Sequence, residues 1–481
     1  MSLSVTQLLE GSGARPQKGL GWVFGLNSDS RRIEPGELFF ALPGNSVHGN
    51  QFAPEAVRRG ALAMVTDTKP TVDPGIPVIL VSDVRAAYAR AAARLFSPQP
   101  EVAVAVTGTN GKTSVASFVR QIWEFAGIAG ASIGTLGVQT ADRLIEGSLT
   151  TPDSRTVHQS LRALRAQGID HVAVEASSHG LDQRRLDGMV FEAVAFTNLS
   201  RDHLDYHKDM DAYRQAKLRL FSDLLVAGGA AVVNVDDPEH AAFGRAAVAA
   251  GAELVSVGAA GESIRIVSVS HEGYGQRVVV RHGGEDVSFL LPLTGAFQVS
   301  NALVAAALAM ASGVAPGQAF AGLETIKGAK GRLELVAEHD GAAIFIDYSH
   351  TPDALKTALE ALRPYAQGTL IVVFGCGGDR DKGKRPQMGE IASKLADVAI
   401  VTDDNPRTEK AETIRAEILA AAPGAREIGD RKAAIEAGVA MLQPGDVLLI
   451  AGKGHEDYQI VGTTKHYFSD HEAVATAIGA R

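Results

Sequence analysis

The residues best suited to chemistry lie in the run AVTGTNGKTS, Ala105 to Ser114. An apolar stretch, Val102 to Val106, enters Gly108, Thr109, Asn110, Gly111, Lys112, Thr113 and Ser114, and a helical pattern follows. Glycines let backbone N–H groups face a phosphate, a helix N-terminus adds positive potential, and the lysine supplies a point charge. The hydroxyl of Thr113 or Ser114 could reach Mg²⁺. Val106 stands where the standard phosphate-loop pattern has its first glycine, so this loop is two residues tighter. A Gly-rich turn that binds nothing is the plain alternative, and Gly-Lys-Thr behind an apolar strand argues against it.

Acidic, imidazole and basic groups follow later strands. Glu175 ends HVAVE, and His203 lies in FTNLSRDHLDYH directly after another apolar run. Ligands in open α/β sheets bind at the carboxyl ends of strands, where both residues fall. Glu and His can bind a divalent cation, although histidine suits Mn²⁺ or Zn²⁺ better than Mg²⁺. Arg184, Arg185, Arg201, Arg332, Arg380, Lys382, Lys384 and Arg385 occupy turns after strands. In a chain of net charge −9, such a gathering is a candidate anion funnel.

The pattern predicts the elements that position these groups. HVAVEAS (171–177), FEAVAFTN (191–198) and AAVVNVDD (230–237) read as strands, with helices over Arg155 to Gln167 and Asp211 to Leu224. Strands alternating with helices predict a mostly parallel sheet. Between Ile264 and Leu293, short alternating runs split by glycines predict a small antiparallel meander. A second alternation, AAIFID (342–347), TLIVVFG (369–375), VAIVTDD (398–404) and DVLLIAG (446–452), predicts another α/β domain. The fold expected is three-domain α/β: a mixed α/β domain over 1–99, a central parallel-sheet ATPase domain of phosphate-loop type over 100–332, and a Rossmann-like domain over 333–481. The 481-residue length agrees with about three domains.

Composition narrows the function. An acidic chain lacks the basic surface of sequence-independent nucleic-acid binding. No apolar run approaches the ~20 residues of a membrane span, and the N-terminal residues lack the pattern of a secretion signal. A cytoplasmic protein without nucleic-acid or membrane partners is expected. Cys376 is the single cysteine, so no intramolecular disulfide can form and the thiol is expected to fill space.

GTNGKTS, TTPD, EASSHGL, NLSRDHLDYH, NALVA, GRLE, DYSHTP, GCGGDRDKGKRP and DDNPR occur here in that order. This succession resembles the ATP-dependent Mur ligases of peptidoglycan synthesis across nearly the whole chain. The resemblance implies that ATP phosphorylates the γ-carboxyl of a D-glutamyl residue, that an incoming amine attacks the acyl phosphate, and that ADP and phosphate are released. It implies that Lys112 contacts the terminal phosphates, while Thr113 or Ser114, Glu175 and His203 contact Mg²⁺, with two ions expected. Asn301, Arg332 and Asp347 would hold adenine, phosphate and ribose, with His350 nearby. Lys217 reads from sequence alone as a surface lysine on an amphipathic helix. The resemblance makes it a CO₂-derived carbamate, N6-carboxylysine, able to bind the second Mg²⁺. A bare ammonium 4 Å from a dication is repelled by about 8 kcal/mol at an effective dielectric of 20, and carbamylation reverses that sign.

The same resemblance implies a UDP-N-acetylmuramoyl-L-alanyl-D-glutamate site at Ser28, Ser30, Asn45, Ser46, Thr150, Thr151, Ser177, Gln183 and Arg185. Leu149 departs from the asparagine that related enzymes often carry there. The amino acid implied is meso-diaminopimelate, held by Arg380, Asp404, Asn405, Pro406, Arg407, Gly452 and Glu456. An arginine fork pairs with a carboxylate bidentately, and lysine would leave it without a partner. The C-terminal domain is expected to close over the site, and a monomer is expected. A lysine-adding ligase, a folylpolyglutamate-type ligase and a non-catalytic nucleotide-regulated module are the alternatives.

Overall fold

The computed structural model describes the chain except residues 1–2, 15–19, 45–46, 148 and 480–481. The chain divides into two units: Met1–Val267 with Val280–Val287 and Ser300–Leu323, and Ser268–Val279 with Ser288–Val299 and Glu324–Arg481.

Among the described residues the first unit holds two larger sheets and an antiparallel pair, Leu3–Ser4 with Trp22–Val23. Four short parallel strands run in the order Leu26–Asn27, Leu38–Phe40, Ala63–Thr66, Val78–Leu80. Helix Val84–Leu95 covers them. Asp83 caps its N-terminus by accepting from the Ala86 N–H at 2.9 Å. Val84, Ala87, Tyr88, Ala91 and Leu95 recur at helical spacing and pack on Leu38, Phe40 and Val65.

The second sheet carries the nucleotide-type loop. Seven of its strands pair in parallel, in the order Gly130–Gly134, His171–Glu175, Val102–Thr107, Phe191–Phe196, Leu225–Asn234, Glu253–Gly258, Ile264–Glu272. The chain leaves Val102–Thr107 for Gly130–Gly134, returns through His171–Glu175, and then crosses to Phe191–Phe196. Strand order therefore reverses at Val102–Thr107, which is where an open α/β sheet leaves a crevice. The register sets Glu175 opposite Val106 and Phe196 opposite Thr107, so both neighbouring strand ends flank the loop. Helices Lys112–Phe125, Ser154–Ala166 and Met210–Ser222 cover the sheet. Val157, Leu161, Tyr213, Leu220 and Phe221 are buried in its core, each full burial of a large apolar side chain contributing about 1.5–3 kcal/mol.

The expected meander forms as Ile264–Glu272, Gly275–His282 and Glu285–Leu291. Gly283 and Gly284 supply the positive φ values, 60° and 87°, that a two-residue hairpin requires. Residues of the meander fall in both units.

The second unit is built on six strands in the order Glu334–His339, Ala342–Asp347, Val447–Ala451, Leu370–Phe374, Val398–Val401, Arg426–Glu427. The first pair is antiparallel and the rest are parallel. Continuous apolar runs suit strands buried on both faces. Phe345, Val372 and Leu449 face one core, and Ile344, Ile346, Val373 and Ile450 face the other. In the same unit, Arg431 and Asp470 form a two-pronged ion pair at 2.7 and 2.8 Å, with no exposed side-chain surface on either.

Among the described residues no helix is long and apolar enough to cross a membrane. Removing one member of a fully buried ion pair leaves the other uncompensated. Arg431→Met is expected to cost about 3–5 kcal/mol in urea unfolding. The double variant Arg431→Met/Asp470→Leu is expected to recover most of that loss.

Candidate active site

The loop after Val102–Thr107 takes its shape from two glycines. Gly108 (φ 155°) and Gly111 (φ 87°) hold conformations that L side chains rarely adopt, and a Cβ on either would collide with a neighbour, Thr197 or Asn301 respectively. The loop is tied to the next strand end. Thr109 N–H donates to the Asn198 carbonyl at 2.8 Å, Asn110 N–H to Asn198 Oδ1 at 2.9 Å, and Thr197 Oγ1 to the Asn110 carbonyl at 2.6 Å. Lys112 opens the following helix, and its Nζ donates to the Gly108 and Thr109 carbonyls at 2.8 and 2.7 Å. Thr113 and Ser114 are buried in that first turn.

On the other side of the loop, Glu175 is 2% exposed and is reached from three directions. Thr113 Oγ1 donates to Oε2 at 2.9 Å, Thr135 N–H to Oε1 at 2.8 Å, and Thr135 Oγ1 lies 3.1 Å from Oε2. Thr135 Oγ1 also contacts Thr150 Oγ1 at 3.0 Å. Thr151 Oγ1 donates to the Glu175 carbonyl at 2.7 Å and accepts from Ser177 N–H at 3.0 Å. Arg185 Nη1 donates to the Thr151 carbonyl at 2.6 Å, and its Nη2 to Gln183 Oε1 at 2.8 Å. The structure therefore joins Thr150, Thr151, Ser177, Gln183 and Arg185 to Glu175 in one network. Ser28 and Ser30 follow strand Leu26–Asn27 of the N-terminal sheet, while Asn45 and Ser46 lie outside the described residues. Leu149 is half exposed.

Lys217 departs from its sequence reading, being 1% exposed rather than on the surface. Helix Met210–Ser222 turns it inward. Its Nζ donates to the Gly108 carbonyl at 2.7 Å and lies 4.5 Å from the Tyr213 ring centroid. Burial, reinforced by the charge of Lys112, pushes its pKa well below the usual lysine range. His203 has φ 53° and packs edge-on against His179 at 4.8 Å between ring centroids. Burial lowers the pKa of both, that of His179 to about 4. The chemistry of Thr113 and Glu175 fits Mg²⁺, which takes oxygen ligands and usually keeps several waters beside one or two carboxylates. Among the described residues no group of three or more His, Cys, Asp or Glu could hold a metal by itself. Asn301, on helix Ala296–Ala311, is buried beside Gly111.

In the second unit, Asp347 ends its strand with its carboxylate engaged by its own chain. It accepts from Leu333 N–H at 2.7 Å, from Ser349 N–H at 3.0 Å and from the Ser349 hydroxyl. Arg332 lies over the Tyr348 ring at 4.6 Å, and its Nε is buried without a protein partner. His350 Nδ1 sits 2.8 Å from the Tyr348 carbonyl.

The residues expected to hold an amino acid converge in part. Lys453, which sequence reasoning missed, has no exposed side-chain surface. Its Nζ lies 3.2 Å from Asp404 Oδ1, 3.2 Å from Asn405 Oδ1 and 2.7 Å from the Tyr458 carbonyl. Asn405 Nδ2 donates to Glu456 Oε2 at 3.2 Å. Burial opposes the Asp404 charge, yet Lys453 and Arg431 hold its pKa below the usual range, whereas burial and Asp404 raise that of Glu456. Gly452 (φ 117°) runs beside Asp404. Arg407 follows Pro406 with φ 51°, and its Nη1 donates to the Gly378 carbonyl at 2.9 Å. Arg380 is exposed, donating to the adjacent Asp379 carbonyl at 3.0 Å.

Two members of the expected anion funnel serve the fold instead. Arg184 pairs with Asp83 at 2.7 Å and Asp187 at 2.9 Å, and fully buried Arg385 pairs with Glu409 at 2.9 Å and Glu417 at 2.7 Å. Their charges are neutralised chiefly by carboxylates distant in sequence, which no local pattern reveals. Cys376 is buried 3.6 Å from Met388 Sδ, and burial pushes its thiol up to about 11. Thr135 was also missed, since the strand it follows, Gly130–Gly134, leaves no pattern in the sequence.

Comparisons with known proteins agree along the chain. Residues 23–96 match the Mur ligase family catalytic domain, 106–309 the Mur ligase middle domain, and 331–454 the Mur ligase glutamate ligase domain. A protein of Bradyrhizobium diazoefficiens named UDP-N-acetylmuramoyl-L-alanyl-D-glutamate–2,6-diaminopimelate ligase is 55% identical over 463 residues, covering 95% of each chain. The protein of that name from Mesorhizobium japonicum is 54% identical over 461 residues, again covering 95% of each. A solved structure with the same name superposes with a TM-score of 0.75 at 32% identity, covering 100% of this chain and 99% of that one.

Gly111→Ala adds a Cβ in a left-handed conformation and against Asn301. It is expected to cost about 1–3 kcal/mol of stability and to weaken ATP binding at least tenfold. Gly127→Ala, at φ 77° with nothing within 4 Å, is expected to lose stability without losing ATP affinity. Thermal melts and calorimetric titration with ATP separate the two effects.

Proposed function

The chain belongs to the Mur ligase family, and from that premise we propose which of its residues perform the ligation. It is an ATP-dependent ligase of peptidoglycan synthesis that joins 2,6-diaminopimelate to UDP-N-acetylmuramoyl-L-alanyl-D-glutamate. The observation that carries this is identity above 50% with ligases of that name over 95% of the chain. The domain borders are assigned at 1–99, 100–332 and 333–481, for the UDP end, the nucleotide and the amino acid.

A carboxylate and an amine do not condense in neutral water, so the acid must first be activated. A γ-carboxylate oxygen of D-glutamate attacks the terminal phosphorus of ATP, the bond to ADP breaks, and an acyl phosphate forms. The amine then attacks the acyl carbon, loses a proton, and phosphate departs. Proteins catalyse such transfers chiefly by positioning the reactants and stabilising charge. Loop Gly108–Ser114 binds the phosphates with N–H groups of its Gly111–Ser114 end, since those of Thr109 and Asn110 are held by Asn198, and Lys112 leaves its loop carbonyls for the terminal oxygens. The Thr113 hydrogen is committed to Glu175, which leaves its lone pairs for a cation. Thr113, Glu175, His203 and carbamylated Lys217 would hold magnesium, two ions in all, which supplies positive charge to the transferring phosphoryl group. Asn301, Arg332 and Asp347 are assigned to adenine, phosphate and ribose. Ser28, Ser30, Asn45, Ser46, Thr150, Thr151, Ser177, Gln183 and Arg185 are assigned to the muramoyl dipeptide.

Selection of the meso isomer is assigned to Arg380, Asp404, Asn405, Pro406, Arg407, Gly452 and Glu456. The Arg407 guanidinium would turn from the Gly378 carbonyl to the far carboxylate, and Glu456 would hold the adjacent ammonium. Sites built on such pairing reject the analogue that lacks the group by ~10⁴–10⁵. Localisation in the cytoplasm, where ATP is supplied, and action as a monomer complete the proposal.

Two outcomes test it. Arg407→Ala is expected to lose the preference for diaminopimelate over lysine by several orders of magnitude in paired kcat/KM measurements of ADP release, and an unchanged preference would remove the fork from the specificity argument. Burial disfavours the ammonium form of Lys217, which favours attack of its amine on CO₂. With ¹³C-bicarbonate and Mg²⁺, a carbamate resonance is expected in the parent chain and absent in Lys217→Arg.

A further inference from the structure

A buried charge organises the amino-acid end of the second unit. Lys453 has no exposed side-chain surface, and a buried ammonium persists only where it is paired and hydrogen-bonded. Its Nζ meets three oxygens from two segments: Asp404 Oδ1 and Asn405 Oδ1, each at 3.2 Å, and the Tyr458 carbonyl at 2.7 Å. Tyr458 opens the antiparallel pair Tyr458–Val461 with Thr464–Tyr467. The lysine therefore pins the start of that hairpin to the segment Asp404–Arg407.

Four hydrogen bonds continue the seam between hairpin and segment. Gln459 Nε2 donates to the Asp404 carbonyl at 2.6 Å, and Ile460 N–H donates to Asn405 Oδ1 at 2.9 Å. Arg407 N–H donates to the Ile460 carbonyl at 3.0 Å, and Gly462 N–H to the Arg407 carbonyl at 2.7 Å. Arg407 holds φ 51°, a left-handed conformation that a residue other than glycine keeps only where its surroundings over-determine it. The two hairpin bonds to its N–H and carbonyl do so, and they fix the direction in which its side chain leaves the backbone. Asn405 is fixed as well. The two groups at its Oδ1, an ammonium and a backbone N–H, can only donate, so the oxygen must face them and the NH₂ group faces Glu456 Oε2 at 3.2 Å.

From this seam we infer that Lys453 is a positioning residue for the incoming amino acid: it holds hairpin Tyr458–Tyr467 against Asp404–Arg407, so that Asn405 offers its N–H side and Arg407 its guanidinium to the far carboxylate of the substrate. The inference rests on the ligase reading above and names the scaffold behind its amino-acid site. Lys453 acts through these two residues and does not itself touch substrate. Asp404, buried beside Lys453 and with Gln459 on its carbonyl, belongs to the same scaffold. Loss of the ammonium would unpin the two segments and leave the buried Asp404 carboxylate with one cation fewer, Arg431 remaining.

The test is steady-state ADP release by the full chain, with KM measured for each of the three substrates and kcat/KM compared for meso-diaminopimelate and lysine. Lys453→Met keeps the reach of the side chain and removes its charge. It is expected to raise KM for diaminopimelate about tenfold, the scale of one charge-assisted hydrogen bond, and to lower the diaminopimelate-to-lysine ratio by the same factor. KM for ATP and for the UDP-muramoyl dipeptide is expected to keep its parental value. A parental ratio with a parental diaminopimelate KM overturns the inference. Losses shared equally by all three substrates, or confined to kcat, assign Lys453 a purely structural role and overturn it as well. Should Lys453→Met not fold, Gln459→Leu decides by cutting a second bond of the seam: a ratio lowered about threefold supports the inference, and an unchanged ratio overturns it. Failure of the ligase reading is distinguishable, since the parent chain itself would then release no ADP with all three substrates present.

Discussion

The phosphate loop depends on one steric constraint: backbone amides can be turned toward an anion only where no side chain intervenes. Gly108 and Gly111 meet it at the strand where the order of the central sheet reverses. The strands on either side then bring Glu175 to one flank of the loop and Thr197 with Asn198 to the other. The apolar interiors of these parallel strands fix that register, because a slip of one residue would exchange the faces they bury. Core packing and site geometry are thus set by the same strand pairing.

Charges in this protein are managed by depth. Surface pairs such as Arg281–Asp286 are expected to contribute little, as exposed pairs usually do. Buried ones carry structural weight: Arg431–Asp470, Arg385 with its two glutamates, and Lys453 with Asp404. Lys217 is the exception, a buried lysine that meets a carbonyl oxygen and an aromatic face where the other three cations meet carboxylates. That arrangement disfavours its ammonium form and agrees with its assignment as a site of modification.

The sequence displayed the strand–helix alternation, the meander and the strand-end placement of Lys112, Glu175 and His203, because these follow from local patterns. It did not display Gly130–Gly134 as a strand. The segment GASIG has little intrinsic preference for extended structure and is held there by pairing with His171–Glu175 on one side and Gly137–Gln139 on the other. The very short strands of the N-terminal sheet escaped for a related reason, since two to four residues carry no period. Side-chain partnerships were the least legible. That Arg184 and Arg385 are neutralised, that Lys217 is inside, and that Thr135 reaches Glu175 all depend on groups brought together by folding. The ring of motifs around DDNPR pointed to an amino-acid site, but Lys453 within it sits in a Gly-Lys-Gly context that reads as a turn.

The path of the backbone between the two units has a practical corollary. Ser268–Val279 and Ser288–Val299 belong to the second unit, although most of that unit begins only at Glu324. On the ribosome, these segments emerge before the rest of that unit exists, and they must wait for it. A fragment cut at the obvious linear border would leave each half missing pieces of its own interior, so this enzyme is poorly suited to being divided into separately expressed modules.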